Sequence, residues 1–238
     1  MSERAPGLTV FVPALNEEKC IGPMIEALVE GLRANVEHFE VIMINDGSTD
    51  GTGRIMNELA SRHPELVVIH NERNLGLGEG YRKALASARF DTITDLPGDD
   101  SFDIGSMAAF WGATKESAIV IGFRQNQAAM RTPLRAVLSW LFTACLNMLL
   151  GLQVKDVHGP IAVPVSEVRR LPLNYAGYSY QMEILAHLLM RRRDKVQVPV
   201  SLRPDDAAKS KALRLRTLWD VSRTLARLFW TLRLFPSV

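Results

Sequence analysis

The amino-acid sequence predicts an α/β fold with a doubly wound, mostly parallel sheet. Over the first 120 residues, short apolar runs typical of strands alternate with helical patterns, and single helices between strands indicate βαβ units. The strands are expected at 8–14, 40–46, 66–71, 92–97 and 118–122. After Arg124 the alternation stops, and the pattern predicts helices over 133–152 and 180–192 and a strand over 195–202.

The charge of the chain is unevenly distributed. The 238 residues carry a net charge of +2, but residues 207–238 hold seven Lys/Arg against one acid. This pattern favours an anionic surface as partner and argues against nucleic acid. Cys20 and Cys145 have no metal-type spacing, and the N-terminus lacks a signal-peptide pattern, so we expect reduced thiols and a cytoplasmic location.

One long uncharged segment raises the question of a membrane. Residues 136–154 hold 19 residues without a charge, close to the ~20 that cross a bilayer. The segment contains Ser139 and Asn147, and a crossing would separate residues that we expect in one site. We therefore expect a peripheral, interfacial helix, with the basic amphipathic helix 213–238 beside it. Ordinary packing of both helices on the sheet is the alternative.

Polar residues follow the expected strands at the edge where ligands bind in sheets of this type. PALNEE (13–18) follows the first strand, NDGSTDGT (45–52) the second and DLPGDDSFD (95–103) the fourth. Turns and helix caps are the plain explanation of these residues. The alternative is a nucleotide site, in which carboxylates bind a nucleoside and a hard cation beside a diphosphate.

The ordered set of motifs resembles the inverting family 2 glycosyltransferases with the GT-A fold. PALNEE, NDGSTDGT, ERNLGLGEGYRKAL (72–85) and LPGDDSFD carry that resemblance. The second half is similar to the polyprenol-phosphate sugar transferases of the dolichol-phosphate mannose synthase group. The motifs there are VIGFR (120–124), RAVLSW (135–140), VKDVHGP (154–160), YSYQMEIL (178–185), VPVSLRP (198–204) and AKSKA (208–212).

The resemblance implies a role for individual residues. Asp99, Arg124 and Arg203 would be catalytic, and Asp99 would bind Mg²⁺ or Mn²⁺, with Asp100 and Ser101 as further candidates. Arg124, Arg135 and Ser139 would hold the acceptor phosphate. The residues expected to bind the donor are Pro13, Leu15, Glu17, Ile44, Asp46, Gly98, Asp99, Ser101, Arg203 and Lys211.

The resemblance also implies a division of the chain. A GT-A domain would cover residues 1–212, with a nucleotide-binding half over about 1–123 and an acceptor-binding half over about 124–212. The helix 213–238 would follow it. No spanning helix is expected, so the chain would be the short form of the family, for which a membrane-anchoring partner subunit is one possibility.

The sequence departs from the family pattern at several positions. Pro97 stands where the first aspartate of the D-x-D motif is usual, and Ser101 where a glutamine is usual. Leu15 replaces a tyrosine, and His158-Gly159-Pro160 replaces Thr-Ser-Gly. His158 is expected to be hydrogen-bonded in a loop, with a ligand or proton-shuttle role as the alternative. Glu183 is a base candidate or a structural residue, and His187 is expected in the core.

The expected function is transfer of a sugar from a nucleoside diphosphate sugar, GDP-mannose first, to a polyprenyl or dolichyl phosphate at the cytoplasmic membrane face. A transferase that uses a UDP-sugar and another acceptor stays open as an alternative. The alternative from another class is a catalytically weak nucleotide-sugar-binding or membrane-scaffold protein, because Pro97 occupies a metal-ligand position.

Overall fold

A computed structural model describes residues 7–115, 118–126, 133–173, 180–191 and 194–203. The strands are β1 (Leu8–Ala14), β2 (Phe39–Asp46), β3 (Leu66–Asn71), β4 (Thr92–Asp95), β5 (Val120–Arg124), β6 (Ile161–Pro164) and β7 (Val196–Val200). The helices are α1 (Ile21–Asn35), α2 (Thr52–Arg62), α3 (Leu77–Ser87), α4 (Ala108–Ala113), α5 (Pro133–Leu150), α6 (Val165–Val168) and α7 (Tyr180–Arg191), and a 3₁₀ helix covers Ile104–Met107.

The strands form one mixed sheet in the order β3-β2-β1-β4-β6-β5-β7. The pairs β1–β2, β1–β4, β2–β3 and β5–β7 are parallel, whereas β6 runs antiparallel to both β4 and β5. The predicted α/β class and doubly wound, mostly parallel sheet are confirmed. Strand β6 was not predicted, because a four-residue apolar run carries no periodicity that separates a strand from a buried turn of helix.

Both faces of the sheet are covered, as a parallel sheet requires. All eight residues of β2 are buried. Val41 and Met43 face one hydrophobic core together with α1 and α4, and Ile42 and Ile44 face a second core with α3, α5 and α7. Successive residues of β2 therefore alternate between the two cores, and the sheet is packed on both faces.

Helix α1 shows why the N-terminal half folds as the sequence predicts. Its apolar residues recur at three- and four-residue spacing, which places them on one face. The residues buried on that face are Ile21, Met24, Ile25, Leu28, Val29 and Leu32. Apolar residues recur at helical spacing over residues 17–36 of the sequence. The helix nevertheless begins at Ile21, because Glu17 and Glu18 are bound instead to the loop after β2.

Helix α5 covers most of the uncharged segment and is buried on one side only. Leu146 is fully buried in the second core, whereas Trp140 is 68% and Met148 77% exposed. Val137 and Leu141 are also exposed and lie on the same helical face as Trp140. Within the described ranges, no helix has the length and apolar character needed to cross a membrane. The interfacial role of α5 stays a prediction, and the helix expected over 213–238 lies outside the described residues.

A close backbone contact fixes the loop that precedes β6. A Cβ atom on Gly159 would lie 1.9 Å from the carbonyl oxygen of Gly122 in β5. The amide of Gly122 in turn donates to the carbonyl of Pro160 at 2.8 Å. Only a residue without a side chain fits here, so the loop 156–160 lies directly against β5.

We predict that Gly159→Ala lowers the free energy of unfolding by about 2 kcal/mol or more, because backbone must move to admit the methyl group. Gly112→Ala is the matched control, since a Cβ there meets nothing within 4 Å. That change removes a helical glycine and should stabilise the protein by about 0.5–1 kcal/mol. Urea unfolding of both variants measures the difference, and equal stabilities would contradict the close approach.

Candidate active site

The loops after β1 and β2 are bound to each other by side chain to backbone hydrogen bonds. The amide of Asn16 donates to Ser48 Oγ at 3.0 Å, and the amide of Thr49 donates to Asn16 Oδ1 at 2.8 Å. The amide of Glu17 donates to Thr52 Oγ1 at 2.8 Å. PALNEE and NDGSTDGT are therefore bound into one surface at the carboxyl edge of the sheet, where the donor is predicted to bind.

Asp46 ends β2 and organises the loop after β3. Its Oδ1 accepts hydrogen bonds from Asn71 Nδ2 and the amide of Leu75, both at 2.8 Å, and its Oδ2 accepts from the amide of Gly76 at 2.9 Å. Asn71 Oδ1 accepts from Lys83 Nζ. Asp46 therefore holds the loop after β3 in place, a role that the sequence did not predict. These hydrogen bonds leave lone pairs on the carboxylate that a nucleoside could use.

The loop after β4 lies against the end of β1. The amide of Gly98 donates to the carbonyl of Pro13 at 3.0 Å, and a Cβ on Gly98 would lie 2.9 Å from Ile21 Cδ1. Cys20 joins the two segments, because its thiol lies 3.4 Å from Glu17 Oε2 and 3.6 Å from the carbonyl of Gly98.

The pKa of the Cys20 thiol reflects the acidic residues that lie near it. Burial, the hydrogen bond with Glu17 and the charges of Glu17, Asp99 and Asp100 raise the pKa of Cys20 to about 12. Burial disfavours the charged thiolate, and the neighbouring negative charges disfavour it further. The acids of two separate loops thus lie on the same side of the sheet edge, as expected from their places after β1 and β4.

Asp99 and Asp100 are the residues that fit a divalent metal. Asp99 is exposed, and its Oδ1 accepts one hydrogen bond, from the amide of Ser101 at 3.1 Å. Asp100 Oδ1 is buried and has no hydrogen-bond partner among the described residues, while Oδ2 is paired with Arg203 Nη1 at 2.5 Å. Mg²⁺ commonly takes one or two carboxylates and completes its shell with substrate phosphates and water.

The described residues contain no group of three or more His, Cys, Asp or Glu that could hold a metal by itself. A pair of carboxylates such as Asp99 and Asp100 is a set that Mg²⁺ accepts when substrate phosphates and water supply the other ligands. Arg203 is held beside these acids, because its amide donates to the carbonyl of Ser101 at 3.0 Å. Asp103 caps the following 3₁₀ helix by accepting from the amide of Gly105.

Arg124 ends β5 in a buried ion pair that the sequence did not predict. Its Nε lies 2.6 Å from Asp156 Oδ2 and its Nη2 lies 2.8 Å from Asp156 Oδ1, the two-point geometry of a strong guanidinium–carboxylate pair. Burial raises the pKa of Asp156, but hydrogen bonds and charge from His158 and Arg124 outweigh it and hold the pKa well below its usual range. Asp156 is therefore ionised at neutral pH.

Two further residues complete this group, which we call the Arg124 cluster (Arg124, Ser139, Asp156 and His158). Arg124 Nη2 donates to Ser139 Oγ at 2.9 Å, and His158 Nδ1 lies 3.2 Å from the same oxygen. His158 Nδ1 is also 3.4 Å from Asp156 Oδ1. Ser139 is in α5, so the cluster joins β5, α5 and the loop 156–160.

Asp95 is a second buried acid at the sheet edge. Gln181 Nε2 donates to its Oδ2 at 2.8 Å and the Tyr180 hydroxyl donates at 3.2 Å, while the amide of Ile161 donates to Oδ1 at 3.4 Å. Burial, which outweighs these hydrogen bonds, raises the pKa of Asp95 to about 6. Gln181 Nε2 also donates to the carbonyl of Gly159 at 3.3 Å.

The remaining candidates lie in different surroundings. Leu15 is half-buried in the loop after β1, and Ile44 is fully buried in the core behind the edge. Glu183 and His187 are both buried in α7, as expected for His187. Arg135 lies in the first turn of α5, but its side chain and the whole of Lys211 lie outside the described residues. The roles carried over to these positions stay predictions.

Asp95 and Asp156 are the residues that sequence reasoning missed. Asp95 was counted with the other aspartates of its loop, although as the last residue of a buried strand it is placed differently. Asp156 was quoted within VKDVHGP without a role. The available signal for Asp95 was its position at the end of a strand. For Asp156 it was the histidine two residues later in the sequence.

The doubly wound sheet, with acidic residues in the loops at its carboxyl edge, has the arrangement of a GT-A nucleotide-sugar fold. Residues 9–163 match the family described as Glycosyl transferase family 2. This match covers more than half of the chain, so the chain belongs to that family.

The names of several similar proteins contain a lipid phosphate. A dolichyl-phosphate beta-glucosyltransferase of Trichomonas vaginalis is 27% identical over 210 residues, which cover 81% of this chain and 62% of that protein. A dodecaprenyl-phosphate galacturonate synthase of Rhizobium johnstonii is 30% identical over 148 residues, 60% of this chain and 42% of that protein. An undecaprenyl-phosphate mannosyltransferase of Micrococcus luteus is 25% identical over 191 residues, 76% and 78%. The chain thus spans less than two thirds of the first two relatives.

Solved structures support the fold. Glucosyl-3-phosphoglycerate synthase from Mycobacterium tuberculosis, crystallised with Mg²⁺ and UDP, has a TM-score of 0.67 at 19% identity and covers 97% of this chain and 80% of its own. Mannosyl-3-phosphoglycerate synthase from Rubrobacter xylanophilus has a TM-score of 0.76 at 16% identity, covering 97% and 76%. At these identities the similarity shows the fold alone.

We predict that the acid Asp95 makes the protein less stable as the pH rises from about 4 to about 7. Its folded pKa of about 6 lies above the value of ~3.9 for an unfolded chain, so stability present at low pH is lost as the carboxyl ionises. Asp95→Asn cannot ionise, and relative to it the wild type should lose about 2–3 kcal/mol across this range. Urea unfolding at several pH values measures this. Parallel curves for the two proteins would contradict the prediction.

Proposed function

We propose that the chain transfers a sugar, with inversion, from a nucleoside diphosphate sugar to a polyprenyl phosphate at the cytoplasmic face of a membrane. GDP-mannose is the first donor to test, with UDP-glucose second. The relatives bear the names of glucose, mannose and galacturonate transferases. Since their names share the lipid phosphate and differ in the sugar, they support the acceptor more than the donor.

One observation carries the proposal. Ser139, in the polar Arg124 cluster, and Trp140, 68% exposed beside Leu141, are consecutive residues of α5. A polar group suited to a phosphate therefore adjoins an exposed apolar surface. An acceptor with a phosphate head and a hydrocarbon tail matches both parts, whereas a small soluble acceptor would use only the first.

The donor side supplies charge for the leaving diphosphate. Asp99 and Asp100 would hold the divalent ion, which neutralises developing negative charge on that diphosphate when it is bound. Arg203 is 44% exposed and lies beside Asp100, so it can reach phosphate oxygens from its present position. Glu17 and Asp46 would orient the nucleoside at the edge formed by the first two loops.

The acceptor side needs positioning more than proton removal. A phosphate monoester has a second pKa near ~6 and is mostly a dianion at neutral pH. Such a nucleophile attacks without a general base, and the protein must hold it beside another anion. Glu183 is 1% exposed, and this burial favours the structural role for it over contact with an acceptor.

The deciding experiment supplies the full chain with each donor, Mn²⁺ or Mg²⁺ and a short-chain polyprenyl phosphate in lipid vesicles. We expect a glycosylated lipid phosphate with one donor, and thermal stabilisation by that nucleotide in the presence of metal, since ligands that bind only the folded state raise its stability. Stabilisation without transfer to any lipid phosphate would favour the nucleotide-sugar-binding alternative instead.

Asp99→Asn should reduce turnover by about 100-fold or more at limiting metal, because an amide is a much weaker ligand for Mg²⁺ than a carboxylate. Asp103→Asn is the matched control, since Asp103 lies in the same loop but caps the 3₁₀ helix. The control should keep its turnover while losing some stability. Normal turnover of Asp99→Asn at limiting metal would remove Asp99 from the metal site.

The exposed face of α5 should place the protein on the lipid surface. Trp140→Ala together with Met148→Ala should weaken binding to anionic vesicles about tenfold or more, since two large apolar side chains no longer leave water. Val67→Ala with Leu75→Ala is the control, because these residues are 37% and 39% exposed elsewhere on the chain. Vesicle sedimentation measures both pairs. Unchanged binding by the α5 pair would return this helix to an ordinary surface.

A further inference from the structure

Residues 201–203 continue the chain directly beyond β7 and lie between two loops; we call them the β7 extension. Alternating residues of an extended strand offer their backbone groups to opposite sides. The carbonyl of Ser201 accepts from the amide of Asp103 at 2.9 Å. The amide of Arg203 donates to the carbonyl of Ser101 at 3.0 Å. One side of the β7 extension is therefore paired, antiparallel, with the loop after β4.

The opposite side of the β7 extension is bound by a single side chain, that of Asn126, which lies two residues beyond the end of β5. Asn126 Nδ2 donates to the carbonyl of Leu202, and Asn126 Oδ1 accepts from the amide of Leu202, both at 2.8 Å. The side-chain amide of Asn126 thus takes the place that the backbone of a neighbouring strand would have.

The pairing of Leu202 bears directly on the next residue, Arg203. The side chain of Arg203 is 44% exposed, and its Nη1 lies 2.5 Å from Asp100 Oδ2. Because a side chain that is this exposed is not held by packing on all sides, the place of its guanidinium depends on where the backbone runs. That backbone is held by Asn126 on one side and by the loop after β4 on the other.

We propose that Asn126 is a positioning residue for Arg203. It keeps the β7 extension between the two loops, so that the guanidinium stays beside Asp100, where it can bind the diphosphate of the donor. This inference rests on the proposed function, in which Asp99 and Asp100 hold a divalent ion next to that diphosphate. Asn126 acts through Leu202, and a guanidinium that is held in place before the donor binds lowers the cost of binding.

The chemistry at Leu202 requires both atoms of the amide. Leu202 is buried, and a buried backbone group that loses its partner is strongly unfavourable. Asn126→Ala removes the partner of the amide and that of the carbonyl together, so the β7 extension has to shift towards water or other partners. Arg203 then moves with it, although its own side chain is unchanged.

A double-mutant cycle tests this dependence. The affinities of the full chain for GDP and for UDP, each with Mn²⁺, are measured by isothermal titration calorimetry. For the nucleotide that binds, Asn126→Ala should reduce the affinity about tenfold and Arg203→Ala about tenfold or more. With Arg203 already replaced, Asn126→Ala should change the affinity less than about twofold, because the group that it positions is gone. A general structural role of Asn126 predicts instead that the two effects multiply.

Gln125→Ala is the matched control. Gln125 precedes Asn126 and also contacts the β7 extension, but its Nε2 donates only to the side-chain oxygen of Ser201, at 2.9 Å. Its backbone amide donates to the carbonyl of Val200 at 3.1 Å, a bond that the variant keeps. We expect less than about a twofold change in nucleotide affinity. If Asn126→Ala does not fold, Asn126→Gln enters the same cycle, since its amide lies one methylene farther out and cannot keep both 2.8 Å bonds.

The outcomes distinguish this inference from the proposed function. Effects that multiply, or a single variant of Asn126 or Arg203 with normal affinity, would overturn the positioning role even if the chain transfers sugar to a polyprenyl phosphate. The expected cycle without transfer to any polyprenyl phosphate would keep the role of Asn126 and overturn the proposed acceptor. Absence of binding by both GDP and UDP would overturn both.

Discussion

The position of β1 between β2 and β4, parallel to both, is the constraint on which the site depends. Parallel strands bring their carboxyl ends to one edge, and burial on both faces leaves those ends no freedom to separate. Three loops distant in sequence therefore meet there. Their contacts are made by short polar groups, such as the amide of Thr49 with Asn16 and the amide of Gly98 with Pro13. Functional side chains can then extend from a surface that is already rigid.

Two buried acids at this edge, Asp156 and Asp95, have pKa values that are shifted in opposite directions. Asp156 has His158 and the guanidinium of Arg124 as its partners and stays ionised with its pKa below the usual range. Asp95 has only neutral donors, Tyr180, Gln181 and a backbone amide, and burial raises its pKa to about 6. Hydrogen bonds and charge from His158 and Arg124 outweigh desolvation in the first case, whereas hydrogen bonds from neutral donors do not in the second. Asp156 stays ionised at neutral pH and can hold its neighbours in place. Asp95, whose hydrogen-bond donors are neutral, changes its ionisation near pH 6.

The sequence was sufficient for the sheet class and for the strand-end motifs, because strand and helix periods are local properties of the chain. It was insufficient for β6, whose four residues show no period, and for the partner of Arg124, because Asp156 is 32 residues away. The family pattern places Arg124 at a phosphate, but its burial depends on the loop 156–160 lying against β5. That contact requires Gly159, and no pattern in a single sequence states which backbone a glycine approaches. The proposed metal ligands could be predicted only in part, since Pro97 stands at one position where the family has a carboxylate, and the sequence does not show that Asp100 pairs with Arg203.

A hydrogen-bonded path connects the loop after β4 with the loop 156–160, which we propose to lie on the donor and acceptor sides of the site. Asp95 immediately precedes the loop that carries Asp99, and its carboxylate accepts from Gln181. The same Gln181 nitrogen donates to the carbonyl of Gly159, the neighbour of His158. A shift of the loop after β4 would therefore change the support of the loop 156–160, which carries Asp156 and His158 of the Arg124 cluster. The proposed reaction brings two anions together, so each must be held at a fixed position relative to the other. Asp95 links the two loops through protein contacts and can contribute to that positioning.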